Sequence, residues 1–230
     1  KRVVAMVEEA LSRENFLDIK GIPQLRENTP VKTRPVNSVG LINRKTEQAH
    51  IFYGMEGVAR SDERRFAMGV LASALGGGMS SRLFQEIREK RGLAYSVYAY
   101  AQQFAGSGQI GFYAGSKPTN AIEVVEIIRE VLADVAANGM SQEEIERAKG
   151  AVRGSLVLSQ EDSASRMSRI GKNEIVYGQI MGFDEILKSI ASVTPDDVQK
   201  IASEYLVKEP TLALVGPFKS TSKFEKVLSS

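Results

Sequence analysis

Residues 74–100, ALGGGMSSRLFQEIREKRGLAYSVYAY, decide how the rest of the chain is read. Three consecutive glycines, Gly76 to Gly78, release the backbone from ordinary steric limits and end whatever helix precedes them. Ser80 or Ser81 can then cap a new helix by accepting a hydrogen bond from one of its unpaired N–H groups. Along that helix Leu83, Phe84 and Ile87 fall three and four residues apart and share one face, with Arg88 at its edge. Gly92 stops the helix, and from Tyr95 the chain reads as a strand rich in tyrosine and valine. Helix, tight turn and strand bring Arg88 near Tyr95. Strand alternation puts Tyr98 and Tyr100 on one face and Tyr95 on the other.

Upstream, 36–42 and 49–53 read as two strands joined by a polar turn. A helix is expected from Ser61, with Asp62 and Glu63 in its first turn, where the helix dipole favours negative charge. Its apolar positions Phe66, Val70, Leu71 and Leu75 keep helical spacing up to the glycines. Downstream come two more strands, about 95–104 and 109–114, then a helical half. Pro118 opens a helix that Asn138-Gly139 ends, and Ser141 with Glu144 forms a capping box for the next. In that next helix Gly150 and Gly154 are expected to let a neighbour approach. Further helices follow at 162–177, 183–191 and from Thr194-Pro195-Asp196-Asp197, and Leu212 to Val215 suits a buried strand. Strands grouped before helices favour an α+β fold, a mostly antiparallel sheet covered by helices on one side.

Composition excludes several classes. The 230 residues are long enough for one large domain, and 43% hydrophobic with 25% charged residues is ordinary globular material. A net charge of +2 with interleaved signs argues for neither nucleic acid nor a membrane surface. There is no cysteine and one histidine, His50. Zinc sites are built mainly from those two residue types, so this chain is not expected to hold a catalytic zinc alone. His50 itself reads as a surface or strand-edge residue. The chain opens KRVVAMVEEALSRENFL without an initiator methionine. Residues 1–17 read as the closing helix of a preceding domain, 18–35, with three prolines and a glycine, as a linker, and 36–230 as the domain proper.

Two groups offer chemistry. Glycines before a helix can cradle a phosphate, with Arg82 assisting, but no G-x-x-x-x-G-K-[ST] is present and a helix precedes the glycines where a strand is required. A flexible interhelical turn is the plainer reading. Arg88 and Tyr95 together could hold a carbonyl and stabilise the oxyanion formed when water attacks it. The plainer alternative is a solvated arginine beside a half-buried strand tyrosine.

The stretch LGGGMSSRLFQEIREKRGLAYSVYAY, with GSLVLSQEDSASRMSR and VTPDDVQKIASEYL, closely resembles the second domain of the M16 peptidases. These are inverzincin zinc metallopeptidases related to pitrilysin and mitochondrial processing peptidase. The resemblance covers about residues 30–217 and is nearest the bacterial processing-protease branch, which implies a soluble cytoplasmic protein and a dimer. It implies an M16 C-terminal α+β domain, whose partner is a zinc-bearing N-terminal domain holding the metal through H-x-x-E-H and a distal glutamate. That motif is absent here, so the cofactor is none in this chain and zinc in the full-length enzyme. In the family the two domains close over a peptide or unfolded polypeptide, and the second lends an Arg and a Tyr spaced R-x-x-x-x-x-x-Y. Arg88 and Tyr95 match that pair. The resemblance therefore assigns them catalytic roles, Tyr95 toward the oxyanion and Arg88 toward the peptide backbone. It places Gly76, Gly77, Gly78 and Phe84 on the substrate-binding wall. The alternative it leaves is a noncatalytic scaffold or substrate-presenting subunit.

Overall fold

The computed structural model describes residues 1–13, 38–178 and 180–229; the expected linker 18–35 lies outside them. Helix α1 spans Arg2–Ser12 and buries none of its residues. The sheet is built from β1 (Val39–Asn43), β2 (Ala49–Gly57), β3 (Ala94–Gln103), β4 (Gly108–Ser116) and β5 (Thr211–Gly216). Its order is β1-β5-β2-β4-β3, with β1 and β5 parallel and every other pair antiparallel. The helices are α2 (Arg65–Gly76), α3 (Ala121–Asn138), α4 (Gln142–Leu158), α5 (Ser163–Tyr177), α6 (Phe183–Ala191), α7 (Pro195–Tyr205) and α8 (Ser222–Ser229). This is the α+β architecture that the grouping of strands and helices implies.

Strict alternation on β2 shows why one face is covered. Ala49, Ile51, Tyr53 and Met55 are buried, while His50, Phe52, Gly54 and Glu56 point the other way. Ile110, Phe112 and Ala114 of β4 and Leu212 and Leu214 of β5 continue the covered face. Against it pack Met68, Leu71 and Leu75 of α2, Val124, Ile128 and Leu132 of α3, and Ile201 of α7. Each large side chain fully buried there contributes roughly 1.5–3 kcal/mol. Burial pushes the Tyr53 phenol up to about 12, against a smaller opposing pull from Arg129, so it stays protonated.

The capping box at Ser141 forms as the sequence implies. The Ser141 hydroxyl accepts from the Glu144 N–H at 3.3 Å and the Glu144 carboxylate accepts from the Ser141 N–H at 2.9 Å. Thr194 and Asp197 repeat the arrangement. Other expectations are corrected. Helix α2 begins at Arg65, four residues after Ser61, because Asp62 accepts from the Arg64 N–H at 2.8 Å and from its guanidinium, which holds 62–64 in a turn. At Gly150 and Gly154 a Cβ would meet nothing within 4 Å, so among the described residues no neighbour uses the space they leave.

Candidate functional site

Helix α2 ends at Gly76, and the reason is packing. A Cβ there would come within 2.2 Å of the Ala99 backbone nitrogen, so the last turn of α2 lies directly on β3. Gly77 and Gly78 are exposed, and a Cβ on Gly78 would meet nothing within 4 Å. Ser81 does not cap the next helix. Its hydroxyl donates to the Gly78 carbonyl at 2.6 Å, closing the glycine loop on itself. Nor is Arg82 free to help with a phosphate. Its guanidinium donates to both oxygens of Glu144, at 2.8 and 2.7 Å, and to Asp134 at 2.9 Å.

The next segment departs from an ordinary α-helix. From Phe84 to Glu89 it is a π-helix, in which the Lys90 N–H donates to the Gln85 carbonyl five residues back at 3.0 Å. Leu83, Phe84 and Ile87 are buried, as their spacing implies. Gly92, at φ 62, takes the left-handed conformation that lets the chain turn sharply into β3. Such local widening of a helix recurs at functional sites.

Strand β3 begins with a second irregularity. Ala94 pairs with Ser116 and Ser96 with Gly115, leaving Tyr95 as the extra residue of a β-bulge. The bulge interrupts the alternation from which Tyr95 was expected to face opposite Tyr98, and it leaves Tyr95 73% exposed. Bulges re-aim side chains in this way. The Arg88 guanidinium lies 4.9 Å from the centre of the Phe84 ring and 5.4 Å from that of Tyr95. Cation–π attraction to two rings holds it without consuming its N–H donors. Among the described residues neither this guanidinium nor the Tyr95 hydroxyl is committed to a hydrogen bond. Two strong donors therefore stand side by side, oriented and available.

The family of the peptidase M16 inactive domain matches residues 1–152. The chain belongs to the M16 peptidase family. An uncharacterized zinc protease of Streptomyces coelicolor is 50% identical over 95% of this chain and 48% of its own length. The uncharacterized zinc protease YmxG of Bacillus subtilis is 40% identical over 76% of this chain and 42% of its own. The chain thus spans about half the length of the curated relatives it matches. Among solved structures, a peptidase M16 inactive domain from Pseudomonas fluorescens superposes with a TM-score of 0.76 at 23% identity, over 87% of this chain and 48% of that one. A chain of complex III2 from Candida albicans gives 0.75 at 16% identity, over 84% and 49%. At such identities these two speak for the M16 fold alone.

Zinc, named in the relatives, does not fit the residues of this M16 domain. Among the described residues no group of three or more His, Cys, Asp or Glu is placed to hold a metal ion. His50 sits on interior strand β2 rather than at an edge, half-buried, with its Nδ1 2.7 Å from the Tyr113 hydroxyl. No helix among the described residues is long and apolar enough to cross a membrane.

The sequence reading missed the open face of the sheet. Strand alternation puts Tyr98 and Tyr100 on one face but does not show that Tyr98 stacks on Tyr113 at 4.7 Å and Tyr113 meets Phe52 tilted at 5.0 Å, with Tyr98 44% exposed. The available signal was the glycines Gly54, Gly111 and Gly115 at the same strand parity as these aromatics.

Proposed function

We propose that this M16 domain is the substrate-gripping half of a zinc metalloendopeptidase of the bacterial processing-protease type, closing over a peptide held against a metal-bearing N-terminal domain. The observation that supports this reading most is the exposed, uncommitted pair Arg88 and Tyr95, set out by a π-helix and a bulge. Tyr95 donates its hydroxyl hydrogen to the carbonyl oxygen of the bond under attack as charge develops on it. Arg88 holds the adjacent peptide backbone and, through its contact with the ring, keeps Tyr95 in place. Gly77, Gly78 and Phe84 shape the adjoining wall, while Gly76 acts through the seat of α2 on β3.

The donors of this domain serve only when it closes on its partner, which ties turnover to enclosure of the substrate. An exposed pair held ready for a ligand favours this over a scaffold that has lost its chemistry. The test is Tyr95→Phe in the intact protein, with turnover of a fluorogenic peptide and bound zinc measured together. Loss of one such donor costs about 10²–10³ in turnover. A fall of at least about tenfold with zinc content unchanged is expected. Unchanged turnover refutes the assignment.

A further inference from the structure

The open face of β3, β4 and β2 carries three successive ranks of side chains. In the first, Tyr98 stands opposite Tyr113 and Tyr113 opposite Phe52, an unbroken aromatic row. In the second, Tyr100 stands opposite Gly111 and Gly111 opposite Gly54. The Tyr100 ring lies across Gly111, where a Cβ would come within 2.4 Å of it. Over Gly54 the space is empty: a Cβ there would meet only the Thr211 carbonyl, at 3.8 Å. The third rank is polar. Gln102 faces Gln109, whose amide donates to it at 2.8 Å, and Gln109 faces Glu56, which pairs with Lys208 at 3.1 Å.

The result is a depression of about 630 Å³ with Phe52, Tyr100 and Phe104 among its walls, Gly54 in its floor and Lys208 at its rim. Its volume is that of a small-ligand site, and its apolar walls and sparse polar rim suit one bulky neutral group. Glu56 is paired with Lys208, and Glu209 beside it leaves the lining with one excess negative charge, which disfavours an anionic group. Its position completes the argument. Tyr100 lies five residues along β3 from Tyr95, a distance of about 17 Å, which an extended peptide covers in about five residues.

We propose that this depression is a subsite for a bulky apolar side chain, such as phenylalanine or leucine, on an extended peptide whose scissile bond lies about five residues away at Arg88 and Tyr95. This rests on the reading of those two residues as substrate contacts. The glycines are the device that makes it: a large side chain at 54 would project into the cavity. Binding energy from this remote contact anchors the peptide without entering the chemistry.

The test uses the intact protein and serine-rich labelled peptides in which one phenylalanine is moved along the chain. Fluorescence anisotropy reads affinity, and turnover is read separately. Phenylalanine about five residues from the cleaved bond tightens binding about tenfold over serine, from burial of its ring. Gly54→Ile removes that discrimination. Phe104→Ser, at an exposed position, weakens it and serves if Gly54→Ile fails to fold. Ile42→Ser, exposed on β1, keeps it.

A folded Gly54→Ile protein that retains the preference overturns the subsite. So does equal affinity for all positions, or tighter binding of a single-stranded oligonucleotide that Gly54→Ile abolishes. Loss of the positional preference while Tyr95→Phe still slows turnover would sink the subsite alone. Preference retained with turnover indifferent to Tyr95→Phe would sink the functional reading and leave an apolar-peptide subsite standing.

Discussion

Arg82 and Arg88 stand six residues apart on one short helical segment, yet the fold treats them oppositely. Arg82 is enclosed, forked onto Glu144 of α4 and bonded to Asp134 of α3, so it ties two helices to the glycine loop. Arg88 lies over the Phe84 and Tyr95 rings, and among the described residues its guanidinium makes no hydrogen bond. A residue whose three guanidinium nitrogens all donate within the chain is structural. One that is oriented but unspent is available to a ligand. That contrast, rather than residue type, is what separates framework from function in this region.

The contrast can be broken by mutation. Removing Arg82 leaves the mostly buried Glu144 carboxylate without its strongest partner, so Arg82→Ala should lower unfolding free energy by about 2 kcal/mol in urea titration. Loss near zero would mean Arg82 is as idle as Arg88. The pH dependence sharpens the same point. Burial alone would raise Glu144, but hydrogen bonds from Arg82 and from the Ser141 N–H and hydroxyl outweigh it and bring the carboxyl down to about 2 from 4.5. A group depressed in the folded state adds stability that is fully present above its unfolded pKa. Stability from this contact should therefore hold above 4.5 and fade as pH falls toward 2, and urea midpoints across that range should show a shallower loss in Arg82→Ala. The smallest effect is expected at the exposed site: Arg88→Ala should change unfolding free energy by less than about 0.5 kcal/mol. A larger loss would mean the cation–π contacts hold the fold together.

Much of this was legible in the sequence. The glycines, Gly92 and the 83–84–87 stripe give the helix, turn and strand that set Arg88 beside Tyr95. The capping box at Ser141 and the cap and proline at Thr194-Pro195 place two helix starts to the residue. What could not be read was phase. Neither the extra residue of the π-helix nor that of the β-bulge has a local sequence signature, because both arise from how the segment seats on β3. Parity arithmetic therefore gave no sign that Tyr95 stands exposed outside the regular pairing. Close approach was invisible for the same reason: Gly76 is required by a backbone contact with Ala99, whereas at Gly78, also a glycine, a Cβ would meet nothing within 4 Å. The apolar depression on the open face needed the register, which lines up Tyr100, Gly111 and Gly54 from three strands.

The central claim is that Arg88 and Tyr95 act on substrate as one unit. A double-mutant cycle of Arg88→Ala and Tyr95→Phe on kcat/KM of the intact protein tests it most directly, with thermal melts run alongside. Coupled residues give a double variant little worse than the poorer single one, with an interaction energy of about 0.5–3 kcal/mol and melts unchanged. Additive losses, or activity lost only in step with stability, would contradict it.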